Sequence, residues 1–450
     1  MISSSLSFIP KTFILSLSLL LFGQFAIGQK LKKLTFYYDS ARTMPKEVFY
    51  IANNDTSQIE GTYKKFYDTG ELLAEGEFKN GKEIGEFEMY YPDGKLMRST
   101  TYKEGKRTGK TIVYGEEGNK IQEATFVNDT LNGKIILYYE SGKMKSESSF
   151  LKGKPDGLVL EYYPDGKIQQ KINYKNGKPN GVSERYYPNG NLETVETYIN
   201  GDLNGTFKTF YENGQAQTVF ENVKGKKSGE LKSYDQEGNL LLESNYRNGK
   251  LNGINISYYP NGNIKTLRNY KDGFLTGEVK EFTEDSVLIS STVYSQEQQN
   301  KEVTTFYPSG KSKSVVYFRN DAPEGEWKYY YESGTEKKVE NYSNGMLEGT
   351  VISFHENGNV KSEADYKAGK KTGIEQTYYE NGNKLSSKIY KFGKLHGEYL
   401  KYHPNGTIAI EGKYAGDKKV EEWLYYSENK KLQKKEIYFN DQLKETILSN

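Results

Sequence analysis

The sequence predicts an all-β fold: an elongated single-layer antiparallel β-meander built from sixteen 24-residue β-hairpin repeats. Three observations predict it. Glycine recurs every 24 residues from Gly61 onward, at fourteen of sixteen steps. An aromatic residue stands five places after every one of these steps. Turn-forming residues separate runs of about five to eight residues, which is the length of ordinary strands and too short for helices.

Residues 1–28 have the pattern of a secretory signal peptide. Lys11 is the only charge before the apolar run Phe13–Phe22, and Ala26-Ile27-Gly28 supplies small residues before a cleavage site. Cysteine is absent, which excludes disulfides, thiolate metal sites and a lipoprotein anchor. We therefore expect an exported protein that is periplasmic, in the outer envelope, or secreted; the alternative is that the segment stays uncleaved as an anchor.

The 24-residue frame then divides the chain. Residues 29–60 lack the glycine spacing and are predicted to form a degenerate N-terminal cap, with strands near residues 35–38 and 48–51. The sixteen repeats run over residues 61–444 without insertion, and residues 445–450 are predicted to be a C-terminal tail. The least regular stretch is Ser286 to Lys301, where function could be concentrated because local rules are broken there.

The turns account for the recurring glycines. Counting the repeat glycine as position zero, the first turn has the form Tyr163-Pro164-Asp165-Gly166. Proline presets φ and glycine supplies the positive φ that closes a hairpin. The second turn has the form Lys175-Asn176-Gly177-Lys178. Each repeat is therefore predicted to be strand, turn, strand, turn.

Three columns of residues predict how the strands pack. Position five is always aromatic, position eleven is mostly aliphatic, and position seventeen is aromatic except at Asn222. Residues of one parity share a face of a strand, so we expect these columns on one face. Position five should lie opposite position eleven, and position seventeen should approach position five of the next repeat. Positions two and six should lie on the other face, which we expect to be more hydrated.

Composition and scattered polar residues argue against several functions. The 62 basic and 60 acidic residues are nearly balanced, which does not indicate nucleic-acid binding. His355 and His403 occupy position six two repeats apart, too far to share a metal ion. The carboxylates and hydroxyls form no recognisable catalytic set. We expect a protein that is not an enzyme and needs no cofactor or metal.

The candidate binding residues are the tyrosines at position six. Exposed aromatic rows can stack on sugars, peptides or lipid headgroups; the alternative is that these rings only pack on neighbouring strands. Tyrosine occupies the position in ten of the sixteen repeats: Tyr67, Tyr91, Tyr139, Tyr163, Tyr187, Tyr211, Tyr259, Tyr307, Tyr331 and Tyr379.

The repeat pattern resembles a known family. Gly-x-x-x-x-Tyr-Tyr-x-x-Gly-x-Ile, followed by Tyr-x-Asn-Gly-Lys-x-x-Gly, is similar to the MORN repeat in its bacterial variant form, and residues 157–181 and 373–397 are good examples. The resemblance covers about residues 61–444. It implies β-hairpins in an elongated sheet and a role in phospholipid contact or scaffolding. Bacterial relatives are often described as antitoxin-like.

These observations favour a non-catalytic extracytoplasmic binding or scaffold protein. Its extended repeat sheet would be presented to a protein, an envelope polymer or a lipid surface. One alternative is a structural protein that self-assembles by end-to-end pairing of its terminal strands. Another is an antitoxin- or immunity-like inhibitor of a partner toxin. An enzyme would be favoured only by a deep pocket with convergent polar residues, first of all near Ser286 to Lys301.

Overall fold

The computed structural model describes residues 30–295 and 299–449. The predicted signal peptide lies outside the described residues. The described parts contain 38 strands and no helix. The chain divides into two compact units: one extends to Met144 and includes Phe150–Gly153, and the other comprises Lys145–Ser149 and the residues from Lys154 onward.

The strands of the first half have the following bounds: β1 Leu31–Tyr37, β2 Pro45–Ala52, β3 Gly61–Phe66, β4 Leu72–Lys79, β5 Lys82–Tyr90, β6 Leu96–Lys103, β7 Lys106–Tyr114, β8 Lys120–Val127, β9 Thr130–Tyr138, β10 Met144–Leu151, β11 Lys154–Tyr162, β12 Ile168–Lys175, β13 Lys178–Tyr186, β14 Leu192–Ile199, β15 Asp202–Phe210, β16 Ala216–Val223, β17 Lys226–Tyr234, β18 Leu240–Arg247, β19 Lys250–Tyr258 and β20 Ile264–Lys271. Those of the second half are β21 Phe274–Leu275, β22 Gly277–Phe282, β23 Leu288–Ser295, β24 Asn300–Phe306, β25 Ser312–Arg319, β26 Ala322–Pro323, β27 Gly325–Tyr330, β28 Glu336–Ser343, β29 Met346–Leu347, β30 Gly349–Phe354, β31 Val360–Lys367, β32 Lys370–Tyr378, β33 Lys384–Lys391, β34 Lys394–Tyr402, β35 Ile408–Ala415, β36 Lys418–Tyr426, β37 Leu432–Phe439 and β38 Gln442–Leu448.

Within each unit, consecutive hairpins pair in antiparallel register, so the predicted class of an all-β, single-layer meander of hairpins is confirmed. The hairpin β1–β2 precedes the first repeat and contains the two strands expected in the N-terminal segment. At the other end, β38 continues to Leu448, beyond the boundary at residue 444, and pairs with β37.

The two turns of each repeat have the chemistry that their sequences predict. In the first turn, the amide of Gly166 donates to the carbonyl of Tyr163 over 2.8 Å, and Gly166 has φ 96°. In the second turn, Asn176 and Gly177 both have positive φ, 52° and 83°. Two consecutive left-handed residues are the signature of a type I′ turn, whose twist suits a two-residue hairpin.

The repeat glycine at position zero forms a bulge. Between the pairs Ile172↔Ser183 and Tyr174↔Pro179, strand β12 advances by two residues while β13 advances by four. Gly181 lies in this excess segment with φ 107°. Position zero is therefore glycine because the bulge needs a left-handed residue, which glycine adopts without a steric penalty.

A second bulge decides which columns share a face, and it corrects one prediction. Tyr162 pairs with Ile168, which confirms that position five lies opposite position eleven. Glu161 pairs with Gln170, so Gln169 is an extra residue in β12. One extra residue in a strand moves every side chain that follows it to the opposite face of the sheet. Position seventeen therefore lies with position two rather than with position five.

The predicted approach of position seventeen to position five of the next repeat is also wrong. Tyr174 pairs with Pro179, at position twenty-two of the same repeat. The ring contacts agree with the corrected assignment. Trp327, at position two, lies with its ring centroid 5.1 Å from Phe318 and 4.5 Å from Tyr342, both at position seventeen. We call the face with positions two, four, six, thirteen, fifteen and seventeen the packed face, and the other the open face.

The packed face contains most of the buried side chains, which overturns the expectation that it would be the more hydrated one. Leu231, Val279, Val351 and Trp423, all at position two, are buried, and Trp423 is only 2% exposed. Most of the remaining buried residues of the repeats stand at positions thirteen and fifteen. A single sheet buries these side chains because the rings and aliphatic groups of neighbouring strands cover one another.

The irregular hairpin β23–β24 keeps the 24-residue frame by a different route. Its pairs run from Ser290↔Thr305 to Ser295↔Asn300 without a register shift, so it has no bulge. Four residues, rather than two, connect the innermost pair. Lys301, which stands where a bulge glycine is expected, pairs directly with Tyr294. A longer connection thus takes the place of the bulge, and the frame is preserved.

Candidate functional site

The tyrosines at position six lie on the packed face beside the first turn, and all ten are half-buried. In nine of them the hydroxyl donates a hydrogen bond, 2.7–2.9 Å long, to the backbone carbonyl of the position-five residue in the following repeat. Tyr187, for example, binds the carbonyl of Phe210. Tyr139 is also half-buried and has a partner of its own.

Histidine replaces tyrosine at this position without losing the contact. Nε2 of His355 lies 2.9 Å from the carbonyl oxygen of Tyr378, and Nε2 of His403 lies 2.9 Å from that of Tyr426. Tyr38, in the hairpin before the first repeat, makes the same type of bond to the carbonyl of Phe66. A tyrosine or histidine at this position therefore links its hairpin to the next through a polar ring atom.

Asparagine side chains add a second link along the same margin. The amide groups of Asn189 and Asn191 both donate to the carbonyl of Glu212 over 2.8 Å. Asn261 and Asn263 do the same to Glu284, at 3.0 and 2.8 Å. The first turns are thus held to one another by side chains. As a result, the tyrosine rings project from a margin whose geometry repeats from hairpin to hairpin.

One of the predicted tyrosines lines a groove. A cavity of about 350 Å³ is bounded by Tyr307, Tyr329, Tyr330, Glu340 and three lysines, Lys313, Lys337 and Lys338. The ammonium of Lys313 lies 5.8 Å from the centre of the Tyr307 ring. Lys338 forms an ion pair with the buried carboxylate of Glu340. Burial, together with the Glu340 charge, raises the pKa of Tyr329. Aromatic walls with ammonium groups suit a ligand that has an apolar body and anionic substituents.

A second cavity, of about 510 Å³, lies beside the irregular hairpin, where the sequence predicted that function could be concentrated. Lys301, Glu302, Tyr317, Arg319 and Glu324 are among its lining residues. Its charged groups pair with near neighbours: Lys301 with Asp321 at 2.5 Å, and Arg319 with Glu324 at 3.5 Å. Lys301 also lies 5.0 Å from the centre of the Phe318 ring. Lys301 stands where other repeats have glycine. Its ammonium group therefore lies beside the strand, where Asp321 and the Phe318 ring contact it.

The open face contains a network that sequence reasoning missed. Position-five tyrosines donate to carboxylates at position fourteen of the preceding repeat: Tyr258 to Glu243 at 2.7 Å, and Tyr426 to Glu411 at 2.7 Å. Burial and the hydrogen bond to Glu243 raise the pKa of Tyr258 to about 12. Glu243 also pairs with Lys232 at 3.2 Å. The constant fifteen-residue separation of these tyrosines and glutamates was the available signal.

In residues 30–295 and 299–449, no three residues of the His, Asp, Glu or Cys type come together in an arrangement that could hold a metal ion. The same part of the chain has no helix that is long and apolar enough to cross a membrane.

Comparison with family models decides the assignment. The model described as the MORN repeat variant matches residues 59–80, 83–104, 131–152, 155–176, 179–200, 203–217, 227–248, 251–272, 323–344, 347–368, 371–391 and 395–415. These twelve matches cover more than half of the chain. The chain belongs to the MORN repeat variant family. The matches skip residues 273–322, so the MORN consensus is least evident around the irregular hairpin.

No curated protein matches this MORN repeat chain. Among solved structures, it is similar to a chain in the crystal structure of TcdB2-TccC3-Cdc42, with 11% identity, 90% of this chain and 29% of that chain covered, and a TM-score of 0.14. It is also similar to a chain of the Photorhabdus luminescens Tc holotoxin pore, with 10% identity, coverage of 88% and 30%, and a TM-score of 0.15. The chain thus spans under a third of these neighbours, and the TM-scores are too low to indicate a common overall fold.

Proposed function

We propose that this MORN repeat chain is a non-catalytic, exported binding or scaffold protein that holds an extended partner along its position-six tyrosines. The partner would be a segment of another protein or an envelope polymer. One observation carries the proposal: half-exposed tyrosine rings recur in the same setting beside successive first turns, fixed by a hydrogen bond through the hydroxyl. A repeated, rigid aromatic surface lowers the entropy lost on binding.

The spacing of the rings favours an extended ligand. Two strands separate successive tyrosines, which corresponds to about 10 Å within a sheet. An extended polypeptide advances by about 3.3–3.6 Å per residue, so a three-residue period would match this spacing. Near Tyr307 the groove adds Lys313 and Lys337, which favour carboxylate or phosphate substituents on the partner.

Each of these tyrosines offers both an aromatic ring and a hydroxyl hydrogen bond. The test must therefore separate the contribution of the ring to binding from that of the hydrogen bond. Histidine keeps the bond to the next hairpin, as His355 and His403 show, but removes the phenol ring. We would change Tyr163, Tyr187 and Tyr211 to histidine together, and to phenylalanine together as the matched control. Each immobilised protein is exposed to an envelope extract, after circular dichroism has established that it is folded.

The wild type and the phenylalanine variant should retain the same partner, because both keep the aromatic surface. The histidine variant should lose it. A partner that the histidine variant keeps in full would show that binding does not use this row.

Export can be tested separately. Cleavage after Gly28 predicts a mature protein that begins at Gln29. Intact-mass measurement on protein from fractionated cells should find that species outside the cytoplasm. An uncleaved chain found only in the cytoplasm would contradict export and leave the binding surface to be judged by its own experiment.

A further inference from the structure

Several charged residues on the strand faces of the larger unit, from Lys154 onward, form ion pairs. Lys171 lies 3.1 Å from Glu184 on the neighbouring strand, Lys232 lies 3.2 Å from Glu243, and Lys434 lies 2.7 Å from Glu436. The Lys434 and Tyr425 contacts lower the pKa of Glu436 to about 2. At these places the charge within the sheet is balanced locally.

The first-turn edge of this unit is acidic. Its twelve first turns, taken as positions six to ten from Tyr163 to Lys431, contain ten Asp or Glu and only four Lys. Glu212, Glu332, Glu356 and Glu380 are exposed. Among the ion pairs of the described chain, none involves these four carboxylates. Their charges are therefore available to a partner.

The second-turn edge is basic. Eleven second turns of this unit, positions eighteen to twenty-one and leaving aside the irregular hairpin, contain thirteen Lys or Arg against five Asp. Lys367, Lys370, Lys391 and Lys394 are all exposed. Of the thirteen, Arg319 alone takes part in an ion pair within the described chain. Since the two turn types alternate along the chain, folding separates the two signs of charge onto opposite edges.

The basic edge also exposes large apolar side chains. Phe392 is 79% exposed and Phe439 is 70% exposed. Phe392 has φ 53°, in a turn position where Asn176 and Asn248 stand in other repeats. A bulky residue in this conformation costs roughly 1–2 kcal/mol, and here it buries little surface in return. Folding therefore does not explain Phe392, whereas contact with a second molecule would.

We propose that the basic second-turn edge of one copy docks side by side on the acidic first-turn edge of another copy. Both edges repeat every 24 residues in the same sheet, so their charges have the same spacing and can meet at the hairpins that carry them, although four first turns have no carboxylate and three second turns have no basic residue. The Tyr-Pro and Tyr-Glu turns of the acidic edge offer apolar surface for Phe392. This contact uses first turns that contain the position-six tyrosines, so it would compete with the envelope partner proposed above, and it differs from end-to-end pairing of strands.

The association depends on many weak contacts. One exposed ion pair contributes about 0–1 kcal/mol, but several pairs presented at a fixed spacing act together. Salt should weaken the contact strongly, because the Debye length falls from about 30 Å at 0.01 M to about 3 Å at 1 M. Sedimentation velocity on the purified mature protein at these two salt concentrations should show assemblies at low salt and monomers at high salt.

Charge reversal then identifies the surfaces. One variant makes the acidic edge basic through Glu332→Lys, Glu356→Lys and Glu380→Lys. A second makes the basic edge acidic through Lys367→Glu, Lys370→Glu and Lys391→Glu. A control matched to the second variant has the same change in net charge at exposed strand positions, through Lys361→Glu, Lys384→Glu and Lys401→Glu.

Each edge variant alone should sediment as a monomer at low salt, the control should assemble like the wild type, and an equimolar mixture of the two edge variants should recover assembly. Recovery in the mixture excludes misfolding as the reason for the loss. A wild type that is monomeric at low salt would overturn the proposal, even if its basic edge bound a polyanion such as heparin. Assembly that neither reversal changes, or a mixture that stays monomeric, would overturn it as well.

Discussion

The hairpins β12–β13 and β23–β24 span the same 24 residues but are built differently. In β12–β13, a two-residue turn is followed by a bulge of two extra residues around Gly181. In β23–β24, four residues connect Ser295 and Asn300, and the strands then pair without interruption. Both hairpins reach the same pair at their far end, Gln170↔Arg185 in one and Ser290↔Thr305 in the other.

This difference shows which structural feature the constant repeat length preserves. The register at the first-turn side is kept, because a slip of one residue would turn packed side chains toward water. The glycine at position zero serves to keep this register, and Lys301 shows that the glycine is not needed where four residues rather than two connect the strands. Positions where the bulge persists should therefore be sensitive to substitutions that the irregular hairpin tolerates.

The largest effect is expected at Gly412, which lies opposite a bulged strand. Gly412 pairs with Tyr399, and the rings of Tyr399 and Trp423 approach to 5.4 Å beside it. A Cβ at this position would lie 2.3 Å from the Trp423 ring, which is buried. Gly412→Ala should lower the free energy of unfolding by about 2 kcal/mol, measured by urea denaturation followed through tryptophan fluorescence.

Combining Gly412→Ala with Trp423→Val provides the control, because the smaller side chain relieves the clash. The double variant should lose clearly less stability than the sum of the single changes. Strict additivity would show that ring contact is not the cause.

The next effect compares the two hairpins directly. Gly181→Ala places a side chain at φ 107° and should destabilise the hairpin β12–β13 by about 1–2 kcal/mol. Lys301→Ala leaves the unbulged strand intact and removes only the contacts to Asp321 and Phe318, so it should cost less than about 1 kcal/mol. Hydrogen–deuterium exchange of the peptides that cover each hairpin would measure both. Equal losses would contradict the link between glycine and bulge.

A smaller effect is expected from the tyrosine links. Tyr187→Phe removes the hydrogen bond to the carbonyl of Phe210 and should destabilise the protein by about 0.5–1.5 kcal/mol. Tyr187→His should lose less stability, because His355 makes the equivalent hydrogen bond in its own repeat. Thermal unfolding by circular dichroism ranks the three proteins, and a phenylalanine variant as stable as the wild type would argue against the link.

The smallest expected effect is an increase in stability. Glu421 occupies position zero with φ 61°, so this repeat keeps the bulge without the glycine. Glu421→Gly relieves the strained conformation but removes the contact with Lys413 and loosens the unfolded chain. We expect a net stabilisation of about 0.5 kcal/mol, seen as a higher urea midpoint. A lower midpoint would mean that the Lys413 contact outweighs the strain.

Much of the fold could be predicted because it depends on local rules. Asn176-Gly177 determines a type I′ turn within four residues, and the pairing of Tyr162 with Ile168 follows from the turn beside it. The face of position seventeen could not be predicted, since it depends on the extra residue at Gln169, for which no turn signal exists. The position-six tyrosines were identified as a column, but only the structure shows that their hydroxyls reach the next hairpin.

The sequence by itself determined the hairpin repeat, its 24-residue period, its turns and its family, because these depend on neighbouring residues and on spacing along the chain. Tertiary structure alone decided which columns pack together, since bulges exchange the faces of a strand. It also decided where charge accumulates. A nearly neutral chain has an acidic edge and a basic edge in its larger unit because alternate turns of a meander lie on opposite sides of the sheet.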